Sequence, residues 1–87
     1  MKYVVMYEMA ADAPPKIREH LPAHRAWWGE FQEQGTLLAI GPFSDATGAL
    51  GVFSTREAAD KYVAGDPFVT SGAVGSWKIW EWNEVLL

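Results

Sequence analysis

The 87-residue chain has no cysteine, which removes disulfides, thiolate metal sites and cysteine nucleophiles together. It also has no apolar run near the roughly 18 residues of a membrane-spanning helix. The opening Tyr3-Val4-Val5-Met6-Tyr7 run is broken by Glu8, too early for the apolar segment of a secretory leader. A cytoplasmic protein with no membrane partner is expected. Basic charge is scarce, seven Lys and Arg against eleven Asp and Glu, and no basic cluster offsets the excess acid, which argues against a nucleic-acid partner. No internal repeat or coiled-coil register is present, and the glycines around Gly72 and Gly75 lack the spacing of a nucleotide-binding loop. Without a proline-, serine- or charge-rich linker, the expectation is one domain over residues 1–87.

Apolar side chains are plentiful. Hydrophobic residues are 49% of the chain and aromatics 14%, including five tryptophans. A chain of this size buries only about 60–65% of its unfolded surface on folding, so a partner subunit is expected to cover part of that surface.

Residues 2–8 are β-branched and aromatic and read as a strand, ended by Ala11-Asp12-Ala13-Pro14-Pro15. Ile17, Leu21, His24, Trp28 and Phe31 recur at steps of four, three, four and three, one face of an amphipathic helix stopped by Gly35. Pro22 lacks the N–H of a continuous helix, so a lead-in turn and a main helix from about Pro22 are predicted. Thr36–Ile40, closed by Gly41-Pro42, and Leu50–Phe53 read as a hairpin, with Ser44, Asp45 and Thr47 as turn formers and not nucleophile or ligand. Ser54-Thr55-Arg56-Glu57 reads as a capping box for a second helix burying Ala58, Ala59, Tyr62 and Val63. Asp66-Pro67-Phe68 opens a short helical turn with Asp66 as its cap. Residues 76–85 alternate, with Trp77 and Ile79 on one face and Lys78, Trp80 and Trp82 on the other. The order βαββαβ is the α+β, ferredoxin-like plan, a four-stranded antiparallel sheet with both helices on one side. Its open face, rich in indoles, predicts sheet-to-sheet packing of two copies into a dimeric α+β barrel.

His24 interrupts an otherwise apolar stripe, so its ring needs a polar partner. Two readings are open: a core histidine bonded to a main-chain carbonyl, or a pocket acid/base. His20 and His24 have metal-ligand spacing, but Pro22 lies between them and no third ligand follows, so no metal is expected. Asp66 is fully explained as a cap, yet its other oxygen could orient His24 as an acid/base couple. Gly41-Pro42 ends a strand economically and could also line a pocket mouth. Trp28, Phe68 and the last-strand indoles are candidate pocket walls.

Taken together, Tyr3-Val4-Val5-Met6-Tyr7, Pro22-Ala23-His24, Gly35 to Gly41-Pro42, Glu57-Ala58-Ala59 and Gly65-Asp66-Pro67-Phe68 give a chain that resembles the YciI-like (YCII-related) family over essentially its whole length. The resemblance implies the dimeric α+β barrel and an active-site histidine and aspartate, which fall on His24 and Asp66. The wider superfamily includes muconolactone isomerase-like and monooxygenase-like members that hold small, often aromatic, molecules. The chain is shorter than many relatives and ends in Trp77-Lys78-Ile79-Trp80-Glu81-Trp82, indoles that could fill the cavity or line it.

The leading expectation is a small homodimeric enzyme doing cofactor-independent acid/base chemistry, of isomerase, lyase or hydrolase type, on a small organic molecule, aromatic compounds included. His24 would be base or acid and Asp66 its orienting partner. The alternative is a noncatalytic module that binds a small ligand or docks on a larger enzyme. A cofactor-free monooxygenase has no dedicated residue in its favour.

Overall fold

The computed structural model describes residues 1–87. Its elements are β1 (Lys2–Met9), α1 (Ala13–Glu33), β2 (Leu37–Pro42), β3 (Gly48–Phe53), α2 (Arg56–Gly65), α3 (Pro67–Thr70) and β4 (Val74–Trp82). The strands form one antiparallel sheet in the order β2-β3-β1-β4, the ferredoxin-like arrangement. The apolar β1 takes a central place beside β3, and β4 runs along its other edge.

Register settles which side chains share a face. Val5 lies opposite Gly51 and Ile79, and Tyr7 opposite Ala49 and Trp77, on the face that carries the helices, although Trp77, on the edge strand, stays exposed. Val4 lies opposite Val52 and Trp80, and Lys2 opposite Trp82, on the helix-distal side. On the helix side the core is built around Phe31, Phe53 and Tyr62. The rings of Phe31 and Tyr62 meet edge to face at 5.5 Å, and those of Phe53 and Tyr62 are tilted at 43° with centroids 5.0 Å apart. Trp27 Nε1 donates to the Tyr62 carbonyl at 2.9 Å, tying α1 to α2.

Pro22 does not divide α1. The helix runs unbroken for 21 residues with Pro22 inside it. A proline costs about 3 kcal/mol in an isolated helix, but packing of Ile17 and Leu21 before it and of Trp27 and Phe31 after it outweighs that local cost. The cap of α2 also differs from the expected box. Thr55 is the cap residue, its Oγ1 accepting from Ala58 N at 3.1 Å, and Glu57 stands one position too early for the reciprocal bond of a box. The β2–β3 turn is closed by Asp45, whose Oδ1 accepts from Thr47 N at 3.0 Å and Thr47 Oγ1 at 2.7 Å, with Ala46 at φ 61°. Gly35 ends α1 at φ 79°, a left-handed conformation open to glycine at little cost.

Candidate functional site

The site forms where three segments meet under α1. The first is the junction of α2 and α3. Asp66 N donates to the Tyr62 carbonyl and ends α2, while the Asp66 carbonyl accepts from Val69 N and Thr70 N as α3 begins. Pro67 at the first helical position fixes this turn. Asp66 Oδ1 accepts from Phe68 N at 3.0 Å, so the side chain is held by its own backbone.

The second segment is α1, which brings His24 Nδ1 to 2.8 Å from the same Oδ1. The third is β1, whose Tyr7 hydroxyl donates to Asp66 Oδ2 at 2.8 Å. Asp66 has no solvent exposure, and three donors converge on it. An ionised carboxylate accepts only, so His24 Nδ1 carries the proton of this bond. That leaves His24 Nε2, across the ring, to exchange a proton with a bound molecule. Phe68 stacks on the imidazole, centroids 3.8 Å apart and planes 8° from parallel. Stack and carboxylate together fix the ring's rotation.

Burial, and next the charge of Asp66, push the Tyr7 hydroxyl far above the ordinary phenol range. Burial and Asp66 act on Tyr62 in the same order and direction. Tyr7 is therefore a permanent donor to the carboxylate, and a bond of this charge-assisted kind is worth about 1.5–3 kcal/mol.

His24 forms part of the wall of a cavity of about 360 Å³ between α1 and the sheet. Ile17, Leu21 and Trp28 line it from α1, Ile40, Gly41 and Pro42 from β2, and Phe68 from α3. Twelve of the 18 lining residues are hydrophobic, so a ligand here is held by apolar contact and oriented by few polar groups. The volume is more than twice the roughly 150 Å³ of an apolar cavity that takes up benzene, enough for a substituted single ring.

The structure thus brings His24 and Asp66 into contact within one chain and sets Trp28, Phe68, Gly41 and Pro42 around one cavity. Asp66 itself lies behind His24 and does not line the space. The last-strand indoles are not its walls. Trp77 and Trp80 border a separate, shallower depression with Met6 and Phe43, because the cavity lies under α1, on β1, β2 and β3, away from β4. His20 stands 3.8 Å from Glu19, and nowhere do three potential metal ligands cluster. Tyr7 escaped sequence reasoning, although a tyrosine on the inward face of a strand needs a hydroxyl partner and so carried a signal. Arg25, also on the cavity wall, gave none, since a charged residue beside a helical stripe reads as solvated surface.

Residues 1–83 match the family model described as the YCII-related domain. Among solved structures, the 5-chloro-2-hydroxyhydroquinone dehydrochlorinase TftG from Burkholderia phenoliruptrix, in complex with 2,5-dihydroxybenzoquinone, superimposes with a TM-score of 0.80. It is 16% identical, and the match covers 95% of this chain and 94% of that one. Protein Atu4242 from Agrobacterium tumefaciens matches with a TM-score of 0.51 at 11% identity, over 93% of this chain and 92% of that one. At these identities the likeness is one of fold. No curated protein sequence matches.

Proposed function

The chain belongs to the YCII-related domain family, and from that premise we propose that it is a cytoplasmic, homodimeric enzyme of one domain. Its chemistry is proton transfer, of isomerase, lyase or hydrolase type, on a small ring compound in the cavity under α1, with no metal or organic cofactor. The observation that carries this reading is the 2.8 Å contact of His24 Nδ1 with the buried Asp66 carboxylate, made by a histidine that lines an apolar cavity. His24 Nε2 takes a proton from the substrate or returns one. Asp66 holds the ring in the required tautomer and compensates the imidazolium when it forms. Trp28, Phe68, Gly41 and Pro42 shape the binding space. A noncatalytic module would need no such pair, and the contact favours the enzymatic reading over it.

The dehydrochlorinase of the same fold supplies a starting substrate class, since loss of hydrogen chloride from a ring requires removal of a proton. Chloride release and ring isomerisation would be followed on chlorinated hydroquinones, starting with 5-chloro-2-hydroxyhydroquinone. Positioned acid/base groups contribute about 10²–10⁴-fold, and His24→Ala is expected to lower turnover by that amount while keeping the native circular dichroism. A folded His24→Ala protein that turns over a substrate at the native rate would refute the mechanism.

For the dimer, the support is the helix-distal face. Trp80, Trp82 and Met6 remain 46%, 37% and 38% exposed there, an apolar area suited to a second sheet. Sedimentation should give twice the monomer mass.

A further inference from the structure

Resting on the reading of the cavity as a substrate site, we propose that Arg25 makes it a site for an anion: a single-ring compound carrying one negatively charged oxygen group, a carboxylate or a phenolate. The charges around the cavity point this way. Apart from His24, Arg25 is the one ionisable cation among the lining residues, and no aspartate or glutamate is among them. The carboxylate nearest the chemistry, Asp66, is turned away and already takes three donors.

Arg25 is also uncommitted. The guanidinium of Arg25 forms neither an ion pair nor a hydrogen bond within the chain, and of the cations without a carboxylate partner, Arg18, Arg25, Lys61 and Lys78, it alone lines this cavity. In a chain of net charge −4, a cation without a partner at the wall of an apolar cavity is not part of a generally positive surface. A guanidinium offers a planar fork of donors that fits a two-oxygen anion. Its place on α1 gives the orientation. Arg25 follows His24 directly, with Leu21 one turn before and Trp28 one turn after. An anion seated on Arg25 therefore lays its ring against Leu21 and Trp28, with an edge toward the imidazole.

The test is isothermal titration of the native protein and of Arg25→Gln and Arg25→Lys with benzoate, 4-nitrophenolate and neutral benzamide. Because Arg25 is exposed, the variants should keep the native melting temperature, which is checked first. The expected result is that one or both anions bind the native protein at least about tenfold more tightly than benzamide, a ratio that one charge-assisted bond supplies. Arg25→Gln should abolish the preference and leave benzamide affinity unchanged, and Arg25→Lys should keep part of it. The anion bound more tightly tells carboxylate from phenolate. Equal binding of all three probes, or a preference that survives in Arg25→Gln, overturns the role of Arg25 and leaves the ring-binding cavity standing. If none of the three binds, the ring-binding reading fails and the Arg25 assignment fails with it.

Discussion

The two faces of the sheet are built from the same β1 residues in alternation, yet they solve different problems. On the helix side, Val5 and Tyr7 are buried, and a carboxylate with no solvent exposure sits among them with a donor for each of its needs. On the other side, Val4 and Val52 lie under indoles that remain half in water, with Lys78 Nζ 3.6 Å from the Trp80 ring centroid. Polar burial fixes one arrangement, because every donor must find its acceptor. Apolar cover has no such direction, and many side chains would serve. The helix side is therefore where a change of one atom matters, and the distal side where area matters.

The sharpest way to break the contrast is at its polar centre. Asp66→Ala removes the acceptor of Tyr7, His24 and Phe68 N together. Loss of one member of a buried charged network costs about 3–5 kcal/mol, and urea unfolding should show a loss of that size.

Alkali probes the same side by a milder route. The hydroxyls of Tyr7 and Tyr62 are raised in the folded state, so the protein favours their neutral forms. That stability is complete below the ordinary phenol value of about 10 and falls as pH rises above it, by about 1.4 kcal/mol per unit for each phenol. Chemical denaturation between about pH 9 and 11.5 should show this slope, and Tyr7→Phe should make it shallower by about half.

The smallest effect on the folded subunit is expected across the sheet. Trp80→Ser should change monomer unfolding by no more than about 1 kcal/mol, yet shift sedimentation toward the single-chain mass. Were it to unfold the chain as Asp66→Ala does, the two faces would not differ as described.

Much of this molecule could be read from local sequence. β1, the hairpin, α2 and the Asp66-Pro67 cap rest on neighbours in the chain, and their signals are short-range. The continuity of α1 through Pro22 was not legible, because it depends on packing partners contributed by the sheet and α2. The position of the cavity was not legible either. The indoles concentrate on β4, but a cavity is defined by what is missing between elements, and small residues such as Ala49 and Gly51 on the helix-facing side of β3 leave that space under α1. Spacing explains His24 and Asp66 separately, 42 positions apart; their pairing is an option from residue chemistry and an implication of the family resemblance, and only the fold brings them into contact. Tyr7, 59 positions from Asp66, joins by the same closure.

The threefold use of Asp66 bears on how freely position 66 can vary. Asparagine could keep the cap to Phe68 N, but its amide nitrogen would stand where Oδ2 now accepts, so the Tyr7 oxygen would have to accept instead and its own O–H would lose the acceptor it now has. Glutamate, one carbon longer, would move its oxygens off the turn that holds them. Aspartate is thus demanded by architecture before any reaction is asked of it, and its retention among related chains would report on folding as much as on chemistry. His24, which gives only one bond to that carboxylate, is the position where an inherited substitution would mark a change of trade.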